Sequence, residues 1–215
     1  MEIIRIGSQD AKSRFEEVTR LHIASIHLGV LPLLGEPFLT RLYTELARAP
    51  RTGLWGVIEA GKVVGFLCGC ADVRATYRAV LSRGGIALLL LASRSFVNRQ
   101  VCRKLFSVVS YAWQPKRHSV DDLAEAELLA IAVDESCRGR GIGKSLVQIF
   151  EESLSAWDAR GCYRVATNID EPSSNKFYQR LGFVRGGIIP HHDLVLQMYQ
   201  KPIPNPNVPR LTGTP

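Results

Sequence analysis

The chain has no cysteine pair in CxxC spacing, and its five cysteines are an odd number. A disulfide framework and a zinc site are both disfavoured on that count. Cys68 and Cys70 stand two apart in VVGFLCGCADV, so strand alternation puts both small side chains on one buried face. Cys137 is the one thiol placed where solvent could reach it. The N-terminal MEIIRIGSQDAKSRF lacks the basic-then-apolar order of a secretory signal, and the longest apolar run, GGIALLLLA, is too short to span a bilayer. The expectation is a soluble cytoplasmic protein without a transmembrane segment. Also missing is a Lys/Arg block interleaved with aromatics. Lys and Arg outnumber Asp and Glu by 27 to 20, which favours anionic partners, but the scatter of the basic residues argues against nucleic acid.

What is present is ordinary globular composition, 46% hydrophobic and 22% charged over 215 residues, enough for one substantial core. A single domain over residues 1–203 is expected. The stretch PIPNPNVPRLTGTP carries proline too densely for regular structure, so 204–215 reads as a tail. EIIRIG reads as a first strand. Residues 10–29 follow with helical spacing through Phe15, Val18, Leu21 and His22, and 36–48 form a second helix. GLWGVIEAGKVVGFLCGCADV gives two strands about Gly61 and Lys62, a hairpin signal. Residues 74–117, rich in Leu and Arg, read as a helical insert of two helices. Its apolar surface leaves a homo-oligomer open.

The next stretch carries the chemistry. AELLAIAV reads as a buried strand, CRGRGIGKS as a loop, and KSLVQIFEESLSAWDARG as an amphipathic helix ending at Gly161. A nucleoside-triphosphate P-loop ending in Gly143-Lys144-Ser145 needs glycine at 138, where Arg138 stands. The dinucleotide fingerprint fails at Lys144 and Leu146. What remains is R-x-x-G-x-G at Arg138, Gly141 and Gly143 between a strand and a helix. Glycines let the backbone approach a pyrophosphate, and the helix start, with Arg138, Arg140 and Lys144, favours anionic oxygens.

VDESCRGRGIGKSL resembles motif A of the GCN5-related N-acetyltransferases, and SSNKFYQRLGF resembles their motif B, in the right order over residues 125–186. The resemblance implies an α/β (α+β) fold, a mostly antiparallel sheet flanked by helices and splayed at the strand before the loop. It implies acetyl-CoA as co-substrate, no metal, and a small-molecule amine as acceptor. By the same resemblance Ile131, Ala132 and Val133 offer backbone bonds to the pantetheine arm. Arg138, Gly139, Arg140, Gly141, Ile142, Gly143, Lys144 and Ser145 hold the pyrophosphate, and Asn168 contacts pantetheine.

Glu127 is the expected general base, eleven residues before Arg138 and on the strand face of Leu129, Ile131 and Val133, with Glu125 in reserve. Its apolar neighbours Ala126 and Leu128 would desolvate it and make it more basic. Tyr178, the motif B tyrosine, is the expected acid for the departing thiolate, and Phe177 beside it the better core candidate. His22, His27, His191 and His192 lie where relatives contact acceptors, although a surface or packing role suits them better. Two departures are visible: Glu171 replaces an asparagine that many relatives use on the cofactor, and no carboxylate stands in 162–169, where peptide-amine acetylases often place a base and this chain has Ala166.

Overall fold

A computed structural model describes residues 1–7, 9–26, 31–92, 125–191 and 194–204. Seven strands form one sheet: β1 (Glu2–Arg5), β2 (Thr52–Glu59), β3 (Lys62–Cys70), β4 (Ala126–Val133), β5 (Cys162–Asn168), β6 (Val184–His191) and β7 (Leu194–Pro202). Their spatial order is β1-β2-β3-β4-β5-β7-β6, and every neighbouring pair is antiparallel except β4 with β5. The hairpin expected at Gly61 turns through Ala60 and Gly61 with φ of 48° and 80°, the left-handed pair that a two-residue turn between twisted strands requires.

Two helical layers sandwich this sheet. On one face lie α1 (Lys12–Ser25) and α2 (Gly35–Arg48), and the expected stripe Phe15, Val18, Leu21 and His22 is buried. These side chains pack with Phe38, Leu39 and Tyr43 against Leu54, Phe66, Cys68 and Ala132. On the other face α4 (Ile142–Ala156) buries Leu146, Val147, Phe150 and Leu154 against Leu67, Leu128, Tyr163 and Val165. Contact here is close enough to select residues. A Cβ on Gly69 would come within 2.6 Å of the Phe150 ring, so glycine in β3 gives that ring its seat. The helix stops at Ala156, short of the expected Gly161, and α5 (Pro172–Arg180) follows β5.

Of the expected insert, α3 (Val73–Ala92) is described; the second helix, Cys102 and the arginines at 94, 99 and 103 lie outside the described residues, as do His27, His192 and 205–215. Among the described helices α3 is long and apolar enough to cross a bilayer by length and composition. Its residues Val80, Gly84 and Leu88 are nevertheless buried in the fold, with Gly84 lying over the Glu45 side chain of α2.

Strand β4 departs from simple alternation. Its register on β3 shifts between Cys68 and Gly69: Ala130 stands opposite Cys68 and Leu128 opposite Gly69, leaving Leu129 as an extra residue. One inserted residue reverses every side chain beyond it. Ala126, Leu128, Ile131 and Val133 therefore pack toward α4, whereas Leu129, Ala130 and Ala132 pack toward α1 and α2. Glu127, between Ala126 and Leu128, points to the α1/α2 side. The expectation that it shares a face with Ile131 and Val133 is corrected by this bulge.

Candidate functional site

Strands β4 and β5 begin side by side and then part. They pair only at Ala126 with Tyr163 and at Glu127 with Arg164, although both continue for several residues. The gap opens toward the C-terminal end of β4. Which backbone groups face it follows from the β3 ladder. The Asp134 amide donates to the Val64 carbonyl at 2.9 Å, making that a hydrogen-bonded pair; by alternation Ala132 with Phe66 is another. Ile131 and Val133 are then the pairs whose amides and carbonyls turn away from β3, into the gap. Ala132, expected to contribute in the same way, spends its polar groups on β3.

At the mouth of the gap the chain turns through Asp134–Gly141 into α4. Asp134 Oδ1 accepts the Ser136 amide at 3.0 Å, and the Ser136 hydroxyl and amide hold the carboxyl below the usual carboxylate range. Gly139 and Gly141 have φ of 78° and 79°, a conformation costly for any residue with a Cβ, and no atom of the described residues lies within 4 Å of where that Cβ would be. The backbone there is bare to an approaching ligand. Gly143 serves differently: a Cβ would sit 3.0 Å from two Phe177 ring atoms, so its absence seats α5 against α4. The Ser145 amide, bonded to the Gly141 carbonyl at 3.0 Å, is the first to find a helical acceptor. Among the described residues the Ile142, Gly143 and Lys144 amides before it find no acceptor, as at any helix start. This is a fitting cradle for a pyrophosphate.

The cationic side chains divide. Arg138 is exposed, with Nε donating to the Val133 carbonyl at 3.2 Å on the rim of the gap, and Lys144 is exposed at the helix start. Arg140 is otherwise engaged: it holds Glu59 at the end of β2 by two bonds, 2.6 and 2.9 Å. Ile142 is buried, which leaves only its backbone to a ligand. Cys137 is 5% exposed and plugs the α4-side core, correcting the expectation of an accessible thiol. Burial pushes the Cys68 and Cys70 thiols up, Cys70 to about 12. Among the described residues no group of three or more His, Cys, Asp or Glu could hold a metal ion.

Glu127 stands where the two strands part, its Oε2 accepting from Arg164 Nε at 2.9 Å with both side chains largely buried. Apolar flanks alone had suggested a desolvated carboxylate; the structure supplies a cation. Glu125 is exposed ahead of β4, its carbonyl accepting from the Val73 amide. Tyr178 is 5% exposed among Phe177, Phe183 and Tyr199, and burial pushes its phenol up. Phe177 is the less buried of the two, reversing the expected order, because it lies over the Gly143 backbone at the helix contact. Asn168 Oδ1 accepts from the Asp170 amide at 3.3 Å, so that oxygen serves its own turn. His22 is core rather than acceptor surface: Nδ1 lies 2.6 Å from the Tyr43 hydroxyl and the ring stacks on Phe66.

Three residues were not anticipated. Arg164 sits between the core residues Tyr163 and Val165, an alternation that put it on the same face as Glu127 and was there to be read. Asn175 is buried, with Nδ2 on the Asn168, Ile169 and Glu171 carbonyls at 2.9, 3.2 and 2.7 Å and Oδ1 accepting from Tyr199. Glu59 meets the loop across 81 residues of chain, and no local pattern announces such a contact.

The model of the family described as Acetyltransferase (GNAT) family matches residues 23–183. No curated protein matches the sequence. Among solved structures, the chain resembles the ribosomal-protein-S18-alanine N-acetyltransferase of Escherichia coli at 13% identity and TM-score 0.54, covering 96% of this chain and 97% of that one. An N-acetyltransferase of Staphylococcus aureus Mu50 gives 15% and 0.57 over 95% and 100%, and an aminoglycoside 6'-acetyltransferase type Ii gives 15% and 0.59 over 96% and 100%. At these identities the likeness is one of fold.

Proposed function

We propose that this chain, which belongs to the GNAT acetyltransferase family, moves acetyl from acetyl-CoA to a primary amine by direct transfer in a ternary complex. The observation that carries the reading is the parting of β4 from β5 directly above the glycine loop. Acetyl-CoA supplies the activated acetyl group as a thioester, which gives way to an amide and a free thiol. In this reading the Ile142–Ser145 helix start and the loop amides hold the pyrophosphate, with Arg138 and Lys144 beside them. Ile131 and Val133 pair through backbone with an extended arm lying where β5 would have continued. From Val133 to Glu127 is six residues, roughly 20 Å at ~3.3 Å per residue. An arm entering at the loop thus reaches toward the point where the strands divide.

There Glu127 takes the proton that an ammonium acceptor must lose before it can attack. Arg164 Nε, 2.9 Å from Oε2, holds the carboxylate in one orientation where the strands divide, presented to an ammonium acceptor. Tyr178, kept protonated by burial, gives its proton to the departing thiolate. The acceptor assigned is an amine on an anionic carrier, such as a nucleotide-linked amino sugar, for which the net charge of +7 is favourable and which a polycationic amine would not match. A protein or peptide amine is the second reading; the absence of a carboxylate in residues 162–169 counts against it. Thiol release from acetyl-CoA, measured against amino sugars, nucleotide-linked amino sugars, polyamines and peptides, tests the proposal. Acceptor-dependent release with the nucleotide-linked compounds is expected; tight acetyl-CoA binding without acceptor-dependent release would make the domain an acyl-CoA binder instead.

A further inference from the structure

We propose that Glu59 is a positioning residue for the glycine loop, holding it in its ligand-ready shape through Arg140; this rests on the reading of that loop as the acetyl-CoA site. Residues 138–141 are all exposed, and no described residue lies within 4 Å of where a Cβ would stand on either glycine flanking Arg140, so the loop has no core of its own. Its anchors are Cys137, buried in the α4-side core on one side, and Ile142 on the other. Between those anchors Arg138 donates to the Val133 carbonyl, on the strand the loop has just left. Arg140 is the side chain that ties the loop to a different part of the fold. Its guanidinium meets both Glu59 carboxylate oxygens, and the Cys137 sulfur lies under the pair, 3.5 Å from Arg140 Nη1 and 3.6 Å from Glu59 Oε2. Arg140 holds the Glu59 carboxyl below the usual range. Glu59 itself is fixed as the last residue of β2, paired with Lys62 across a two-residue turn.

The consequence follows from what glycine costs. A chain with two unpacked glycines loses much backbone freedom when a ligand orders it, and that loss weakens binding unless it has been incurred on folding. A two-bonded arginine between the glycines fixes the peptide planes on either side, so the amides of 139–141 already point as they must to receive phosphate oxygens. Glu59 also neutralises Arg140, leaving Arg138, Lys144 and the amides as the anion-binding set. The opposite behaviour has the opposite sign: if Arg140 swung from Glu59 onto the pyrophosphate, Glu59 would compete with the ligand, and removing its charge would strengthen binding.

The test compares the full chain with Glu59→Gln, Arg140→Gln and the double variant. Acetyl-CoA affinity is measured by calorimetry, and backbone amide hydrogen exchange over 138–145 is measured without any ligand. Glu59 is one-third exposed, so folding should survive, and Glu59→Asp serves as a milder second variant. Expected are a roughly three- to tenfold weaker Kd for each single variant, a double variant no weaker than either, faster loop exchange in the free protein, and kcat at saturating acetyl-CoA within about twofold. Unchanged or tighter binding by Glu59→Gln overturns the proposal, as do additive losses or unchanged loop exchange. Failure of the unaltered protein to bind acetyl-CoA would refute the cofactor reading instead, and the exchange measurement would still decide the role of Glu59.

Discussion

Acidification provides a quantitative test of the placement of His22. The side chain is 2% exposed, one ring nitrogen engages the Tyr43 hydroxyl, and the other, Nε2, is fully buried without a hydrogen-bond partner among the described residues. Burial lowers its pKa from 6.5 to about 4, because a charged imidazolium there would lose its water and gain nothing opposite. The unfolded chain therefore binds the proton first. Stability is complete above the unfolded value of 6.5 and is lost as pH falls through the interval toward 4. At 1.36 kcal/mol per pKa unit the full effect is roughly 3 kcal/mol, of which roughly 2 kcal/mol disappears between pH 7.5 and 5. Urea unfolding of the unaltered protein and His22→Gln, at several pH values across that range, isolates the contribution. Glutamine can still reach Tyr43 but does not titrate, and carboxylates common to both proteins cancel in the difference. The variant should be the less stable at pH 7.5, with a gap that narrows by roughly 2 kcal/mol at pH 5. A gap independent of pH would show that His22 is not held neutral in the core.

Glu127→Gln should reduce kcat by about a hundredfold or more while leaving the acetyl-CoA Kd within about twofold, read from steady-state kinetics and calorimetry; an unchanged pH–rate profile would remove Glu127 from the role of base. Cys137→Ala should keep most of the turnover, since the thiol plugs the loop far from the parting of the strands, and complete loss of activity would overturn direct transfer. Gly141→Ala and Gly143→Ala should both weaken acetyl-CoA binding for different reasons. The first strains a left-handed residue by about 1–2 kcal/mol; the second presses a methyl on Phe177, so Phe177→Leu should restore only the second. Tyr178→Phe should cut kcat about tenfold with a melting temperature unchanged by calorimetry, because the hydroxyl makes no hydrogen bond among the described residues.

The sequence made the chain's local grammar plain and its long-range pairings obscure. Helical spacing at Phe15, Val18, Leu21 and His22 was enough to bury all four, because one stripe can face only one way. The glycines of the loop were equally readable, since left-handed backbone has few other occupants. Side-chain partners were harder. Arg164 and Glu59 each meet a site residue across many positions of chain, at distances set by how strands pair rather than by spacing. Polarity alone favours Phe177 over Tyr178 for the core. Packing decided otherwise, because Phe177 is needed over Gly143 and Tyr178 faces the ring cluster beneath.

The β4 bulge has a bearing on chemistry that alternation alone would have hidden. In an uninterrupted strand Glu127 would share its face with Ile131 and Val133, and its carboxylate would be directed into the packed layer of Leu146 and Phe150, where an ion is costly. The extra Leu129 turns it to the opposite face, where Arg164, on that face by its own alternation in β5, can reach it. The same insertion leaves Ile131 and Val133 with side chains in the α4 core and backbone in the gap. On the proposed reading, backbone for the cofactor and a carboxylate for the acceptor can then come from one strand eight residues long, without either group having to leave its layer.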